Sequence, residues 1–303
     1  MTVTGRILTC TGGLYSVEAN NRVYECYAKG GFRHQGVSPV PGDICEIRLE
    51  SEGQRENAYL TGLHPRRNCL LRPPVANLDH IIIVSSVCNP QPNPVYIDKV
   101  CSIAIHNNIS PILIFTKLDL APEMGEEFLK TYKNTRIPVV CVSIKDPEDI
   151  KKKIRPLILG KTCAFAGASG VGKSTLINTL FPNLNLTTGQ ISTKILRGKN
   201  TTRQSVFFNV SQQVGAENTY LADTPGFSQL DLSKVFFMEK EDLAYTYPEF
   251  QSYLGTCKYT KCSHQTEDGC QILQAGKNNE ISQQRLETYR ALYQEIAKYK
   301  KWK

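Results

Sequence analysis

Hydrophobic positions fall into three regimes along the chain. In the first, short runs at Ile7–Cys10, Tyr15–Ala19, Val23–Tyr27, Ile44–Leu49 and Ala58–Leu63 are separated by turn signals at Gly12-Gly13, Asn20-Asn21, Gly30-Gly31 and Pro41-Gly42-Asp43. Five short, evenly spaced strands predict a small closed barrel, of the OB type in preference to an SH3-like relative. From Asn68 the runs become continuous: Ile81–Val84, Pro111–Phe115, Pro138–Val142, Cys163–Ala166 and Tyr220–Ala222 each end in a polar or glycine loop. Between them lie helical segments such as Ile97–Asn107 and Lys173–Phe181. Buried runs alternating with helices predict a mostly parallel α/β sheet, whose ligands bind beyond the carboxyl ends of its strands. After Phe227 the strand pattern fades, and Leu286, Tyr289, Leu292, Tyr293 and Ile296 recur at a helical period before the basic tail Lys298–Lys303.

Length and composition agree with several compact units. At roughly 100–200 residues per domain, 303 residues make two or three. Hydrophobic residues at 41% and charged residues at 21% are the mix of a folded globular protein. Met1–Gly13 has no apolar segment of a secretory signal, and the longest apolar run, near Ile81–Val84, is far short of the ~20 residues of a membrane helix. Of eleven cysteines, eight are scattered singly and three gather at positions 257, 262 and 270. That pattern predicts a reducing cytoplasm and one metal site rather than a disulfide framework. The net charge is +8, but residues 151–205 hold ten Lys/Arg and no Asp or Glu, so this stretch carries +10 and the rest sums to −2. Such a local excess marks a place for phosphates.

The sequence Gly167-Ala168-Ser169-Gly170-Val171-Gly172-Lys173-Ser174, followed by Thr175, fits G-x-x-x-x-G-K-[ST] between an apolar strand and a helix. Its glycines let successive backbone N–H groups face phosphate oxygens, Lys173 meets the β- and γ-phosphates, and Ser174 turns its hydroxyl to Mg²⁺. Asp223-Thr-Pro-Gly226 follows Tyr220–Ala222; its aspartate would hold Mg²⁺ through water while the Gly226 N–H reads the γ-phosphate. Thr116-Lys117-Leu118-Asp119 follows the Ile112–Phe115 strand. An aspartate there accepts from both N1–H and the 2-amino group of guanine, which adenine does not offer. Ser143, ending the next strand, would order the loop facing the guanine carbonyl. Each tetrapeptide is a weak signal alone, and the set carries the weight: a GTPase whose base motif precedes its phosphate loop, the order of a circular permutation.

Cys257-x₄-Cys262-x-His264-x₅-Cys270 supplies three thiolates and an imidazole. This set matches a closed tetrahedral Zn²⁺ site with a structural role, because no position is left open for hydrolytic chemistry. The barrel segment interleaves Arg6, Arg22, Lys29, Arg33, Arg66 and Arg67 with Tyr15, Tyr24, Tyr27 and Phe32, a composition suited to tracking a phosphate backbone and stacking bases.

In these motifs, together with Pro74–Asp79 and Pro248-Glu-Phe250, the chain resembles the bacterial ribosome-small-subunit-dependent GTPases over essentially its whole length. The resemblance implies an N-terminal OB-fold barrel (residues 1–67), a circularly permuted P-loop GTPase domain (68–228) and a C-terminal helical zinc-binding domain (229–303). It also implies a cytoplasmic monomer that binds the 30S subunit and its 16S rRNA and assists late maturation. Two departures stand out. Thr116 replaces the family's usual Asn, and Gly198-Lys-Asn-Thr-Thr202 replaces Gly-Arg-His-Thr-Thr. Asn200 can hydrogen-bond water but cannot take its proton near neutral pH, so no catalytic role is assigned to it. Thr201 or Thr202 would reach Mg²⁺, and the sequence does not choose between them. In many GTPases a glutamine just after D-x-x-G orients the attacking water; Phe227 stands there, which predicts slow intrinsic hydrolysis stimulated by the subunit. Two rival readings are an RNA-binding assembly factor that holds GTP as a ligand with little hydrolysis, and a non-ribosomal P-loop NTPase with an incidental barrel, of which Asp119 argues against an ATPase.

Overall fold

The computed structural model describes residues 1–28, 38–52, 55–184, 205–223 and 238–298. Strands β1 (Thr2–Thr11), β2 (Leu14–Ala19), β3 (Arg22–Ala28), β4 (Ile44–Glu52) and β5 (Arg55–Leu63) close a barrel in the order β1-β2-β3-β5-β4. The β3–β5 pair is parallel, and the others are antiparallel. A meandering SH3-like barrel pairs successive strands; the parallel β3–β5 contact makes this an OB-fold. Alternation sends Ile7, Val17, Cys26, Ile47 and Leu60 into the barrel's core.

A short hairpin, β6 (Cys69–Leu71) with β7 (Pro74–Ala76), leads to a six-stranded sheet. Its members are β8 (His80–Ser86), β9 (Ser110–Thr116), β10 (Val139–Cys141), β11 (Thr162–Ala166), β12 (Val206–Asn209) and β13 (Tyr220–Asp223). The order is β10-β9-β8-β11-β13-β12, with only the edge strand β12 antiparallel. The chain starts at β8 in the middle, steps outward through β9 and β10, and returns to β11 on the other side of β8. The direction of travel therefore reverses between β8 and β11, the kind of crevice in which open α/β sheets bind ligands.

Helices cover both faces. Alpha-helix α1 (Pro94–His106) and α2 (Pro122–Tyr132) pack on one face; α3 (Pro147–Ile158) and α4 (Lys173–Leu180) pack on the other. Successive residues of β8 alternate between them, Ile81 and Ile83 against Ile82 and Val84. This two-sided burial is why the sheet strands read as continuous apolar runs. After the short α5 (Ser211–Val214), the C-terminal region holds α6 (Gln271–Lys277) and α7 (Gln283–Lys298), with 3₁₀ turns at Leu243–Thr246 and Pro248–Phe250. Its core gathers Leu243, Tyr247, Phe250, Ile272, Leu286, Tyr289 and Leu292.

The barrel docks on the amino-terminal edge of the sheet. Arg6 donates to the Thr162 hydroxyl at 3.2 Å and lies 4.4 Å over the Tyr220 ring. Glu18 accepts from Tyr220 Oη at 2.9 Å and from Asn209 Nδ2 at 2.9 Å. Arg67 pairs with Asp79 at 2.7 Å, while Arg66 makes a two-pronged bond to the buried Asp43 at 2.6 and 2.8 Å. Three of the six barrel-segment cations named from sequence are thus engaged in joining parts of the protein to one another.

Candidate nucleotide and metal sites

The phosphate loop follows β11, whose residues are all buried, and its backbone needs glycine. Gly167 has φ +152°, and a Cβ there would stand 2.3 Å from the Val84 carbonyl oxygen. Gly172, at φ +90°, is the left-handed residue from which α4 starts. Ala168, Ser169 and Gly170 are exposed, Val171 is buried beneath them, and Ser174 and Thr175 lie half-buried in the first turn of α4. Lys173 folds back over the loop, its Nζ 3.4 Å from the Gly167 carbonyl. Burial opposes the charge on Lys173 and lowers its pKa, with Asp223 pulling the other way. Asp223 ends β13; burial pushes its carboxyl up to about 6 against the pull of Lys173. Both groups are held half-desolvated at the carboxyl edge, where an incoming phosphate and cation would complete their charge balance.

The base motif reaches the same edge. Thr116 is fully buried, and its hydroxyl lies 2.5 Å from the Val171 carbonyl and 3.2 Å from that of Ser85. The threonine that stands in place of asparagine therefore still ties β9 to the phosphate loop. Lys117 takes a left-handed φ of +61° and spans to the carbonyls of Asn89 (2.5 Å) and Gly170 (2.8 Å). Leu118 packs inward against the sheet's core, its side chain over Gly125. Asp119 stays open to solvent, accepting from Ser143 Oγ at 2.7 Å and Lys145 Nζ at 2.7 Å. These two donors, Lys145 first, hold its carboxyl below the usual range, so it is an anion ready to accept from a base. Lys145 is a residue that motif reading passed over, although its place two positions after Ser143 was visible.

Thr201, Thr202 and Asn200, with the rest of the first switch segment, and Gly226 and Phe227 lie outside the described residues. So do Lys29, Phe32 and Arg33 of the barrel. Tyr15 and Tyr24 lean on the barrel core, and Tyr27 is 63% exposed.

The four predicted metal ligands come together. One ligand atom from each of Cys257, Cys262, His264 and Cys270 lies within 4.8 Å of the others. Zn–S and Zn–N bonds of about 2.3 and 2.0 Å give tetrahedral edges of roughly 3.5–3.8 Å. Here the Cys257–Cys270 sulfurs are 3.9 Å apart, and His264 Nδ1 lies 3.6 and 3.4 Å from them. The set fits Zn²⁺ and leaves no ligand position open. Around it, Glu267 accepts from the N–H groups of Ser263 (2.7 Å), Gln265 (2.8 Å) and Thr266 (3.1 Å). Burial resists that charge, but these bonds and the Ser263 hydroxyl hold Glu267 down at about 2. Helix α7 grips the same loop through Tyr289 Oη to Ser263 O at 3.0 Å and Arg290 Nε to Gln265 O at 3.1 Å.

A family model described as RsgA GTPase matches residues 63–233, and one described as RsgA N-terminal domain matches residues 4–55. A protein named small ribosomal subunit biogenesis GTPase RsgA, from Alkaliphilus metalliredigens, is 34% identical over 98% of this chain and 99% of its own length. Another, RsgA 2 from Oceanobacillus iheyensis, is 36% identical over 96% and 97%. Among solved structures, YjeQ from Thermotoga maritima superimposes with a TM-score of 0.82 at 26% identity, covering 99% of this chain and 100% of that one. YloQ, described as a circularly permuted GTPase, gives 0.78 at 29% identity over 99% and 96%. The permuted order read from the motifs is thus shared by a solved relative, and GTP hydrolysis is the activity of the group. With likeness running the length of the chain in both sequence and fold, the chain belongs to the RsgA GTPase family.

Proposed function

We propose that this GTPase binds the small ribosomal subunit through its 16S rRNA, assists its late maturation in the cytoplasm, and hydrolyses GTP faster on the subunit than alone. The observation that carries the reading is the convergence at the carboxyl edge: Thr116 Oγ1 lies 2.5 Å from Val171 O, so base motif and phosphate loop form one continuous site. The relatives' names supply the subunit. Residues 1–67 serve as the RNA-binding barrel, 68–228 as the nucleotide domain and 229–303 as the zinc-bearing domain.

In this site Asp119 accepts the guanine N1–H and 2-amino protons, held in place by Ser143. Backbone N–H groups from Gly167 to Thr175 cradle the phosphates, and Lys173 neutralises their charge. Ser174 and Asp223, with Thr201 or Thr202, would hold Mg²⁺, which would supply positive charge to offset the negative charge developing on the phosphates. The Gly226 N–H reads the γ-phosphate. Phe227 offers no hydrogen bond to the attacking water, so alignment of that water falls to the partner, and groups supplied in trans contribute ~10³–10⁵ in rate. The test is GTP turnover with and without isolated small subunits, with nucleotide-dependent co-sedimentation on the same samples. Stimulated turnover with GTP-dependent pelleting is expected. Equal rates with and without subunits defeat the proposal.

A further inference from the structure

Two cross-strand pairs meet where the barrel docks. Arg6 and Glu18 stand opposite each other on β1 and β2, and Asn209 and Tyr220 do so on β12 and β13. Glu18 reaches both members of the sheet pair, accepting from Asn209 Nδ2 on Oε1 and from Tyr220 Oη on Oε2, each at 2.9 Å. The Asn209 amide is oriented for this, since its Oδ1 accepts the Ser211 N–H at 3.0 Å. Two residues back along β12, and so on the same face, Phe207 meets the barrel again. A Cβ on Gly42 would stand 2.8 Å from Phe207 Cζ, and Leu8 of β1 packs on the cluster that holds Phe207, Tyr220 and Ala222. Phe208 packs on the opposite face of the sheet.

The pairing of β13 gives this contact its reach. Its register with β11 runs from Tyr220 to Ala222, and Asp223 is paired with Val206 of β12. Strand β12 is four residues long and lies at the edge of the sheet beside β13. A two-stranded pairing this short is marginal unless something packs on it. The barrel packs on its Phe207–Asn209 face. The backbone of Asp223 is therefore steadied by a strand that the barrel itself steadies. Tyr220 and Asp223 are the two ends of β13, three residue steps apart, which is about 10 Å at ~3.3 Å per step.

We propose that Glu18 is a positioning residue of the nucleotide site: from the barrel it fastens β12 to β13 and so sets where Asp223 stands for Mg²⁺. Without that carboxylate the edge ladder opens more often, and Asp223 spends less time in its place. The base motif follows β9 and the phosphate loop follows β11, so contacts to base and phosphate do not run through β12. The barrel is then part of the nucleotide machinery as well as a surface for a partner. This rests on the reading of Asp223 as the aspartate that faces Mg²⁺.

The test takes two measurements on the full chain: amide hydrogen exchange of the nucleotide-free protein, and equilibrium binding of a fluorescent GTP analogue in Mg²⁺ and in EDTA. Glu18→Ala should speed exchange across residues 206–209 and 220–223 by at least about fivefold. It should also cut the affinity gained from Mg²⁺ by about fivefold, with binding in EDTA within about twofold of the parent. Tyr220→Phe keeps the ring and removes one of the two bonds, so both readouts should move the same way by about twofold. That variant decides the matter if Glu18→Ala does not fold. Unchanged exchange in these strands, or affinity lost equally in Mg²⁺ and EDTA, overturns the proposal. Asp223→Asn separates this inference from the reading beneath it. A full Mg²⁺ gain in Asp223→Asn defeats the assignment of Asp223, whereas a gain lost there but kept in Glu18→Ala defeats the role of Glu18 alone.

Discussion

Arg285 is the cation that the buried Asp98 and Glu249 share, and its removal makes a demanding test of the electrostatic reasoning. Its Nε donates to Glu249 Oε1 at 2.7 Å and its Nη2 to Glu249 Oε2 at 3.3 Å, while Nη1 pairs with Asp98. The guanidinium also lies over the rings of Tyr247 (4.2 Å) and Tyr132 (5.2 Å), and Arg285 is 1% exposed. Burial opposes its charge, and Asp98 and Glu249 more than reverse that, so its pKa is raised. Arg285→Leu keeps most of the volume but leaves two carboxylates facing each other without a counter-charge. Stranding buried charge in this way costs about 3–5 kcal/mol. At ~2–4 °C per kcal/mol for a chain of this scale, the melting temperature should fall by roughly 6–20 °C at neutral pH.

The pH dependence sharpens the test. Burial already raises Asp98 above the ordinary 3.8, while Arg285, Thr288 and Tyr132 pull it down. Without Arg285 the folded-state pKa rises further, and the unfolded value stays put. A raised carboxyl favours folding where it is protonated, so that contribution is full below 3.8 and is lost as pH rises through the folded-state value. The deficit of Arg285→Leu should therefore be smaller at pH ~5 than at pH ~8. Melting followed by circular dichroism at both pH values checks it. A drop of less than about 3 °C, or an equal drop at the two pH values, refutes the account of this cluster.

Two further outcomes follow from the sites. Asp119→Asn exchanges an anion that accepts twice for an amide that accepts once and donates once, so GTP affinity should fall by about a hundredfold or more, and a nucleotide competition series reads it. A parent-like preference for guanine in that variant would remove Asp119 from base recognition. Cys262→Ala takes one of four ligands whose atoms lie within 4.8 Å, and it should lose bound zinc and the helicity of the C-terminal region together. Zinc retained at one per chain with unchanged helicity would sink the structural role.

The strands that carry motifs were legible because sheet burial on both faces writes continuous apolar runs, as at Ile81–Val84 and Pro111–Phe115. The barrel was legible through its turns, and the Cys₃His set through spacing alone. Three things were hidden. The hairpin β6–β7 has strands of three residues, too short for any period to register. Edge strand β12, Val206–Asn209, pairs on one side only and leaves a run of just four residues. The pairing of Asp98 and Glu249 with Arg285 left no mark in the sequence, since nothing local to position 98 foretells a partner near position 285. Arg6, Arg66 and Arg67, cations interleaved with tyrosines in the barrel segment, hold Thr162, Asp43 and Asp79. Composition cannot tell a charge that faces outward from one that fastens two parts of the same molecule.

The docking of the barrel on the amino edge also fixes a length scale. Thr162 and Tyr220, where it fastens, sit at the roots of β11 and β13, whose tips carry Gly167 and Asp223, and Asp79 sits at the root of the neighbouring β8. Strand β8 runs seven residues, and at ~3.3 Å each the two ends stand about 20 Å apart. A ligand the size of a peptide loop meets one end and leaves the other untouched. A partner that touched both the docked edge of the sheet and the nucleotide edge would need two footholds separated by the full height of the sheet.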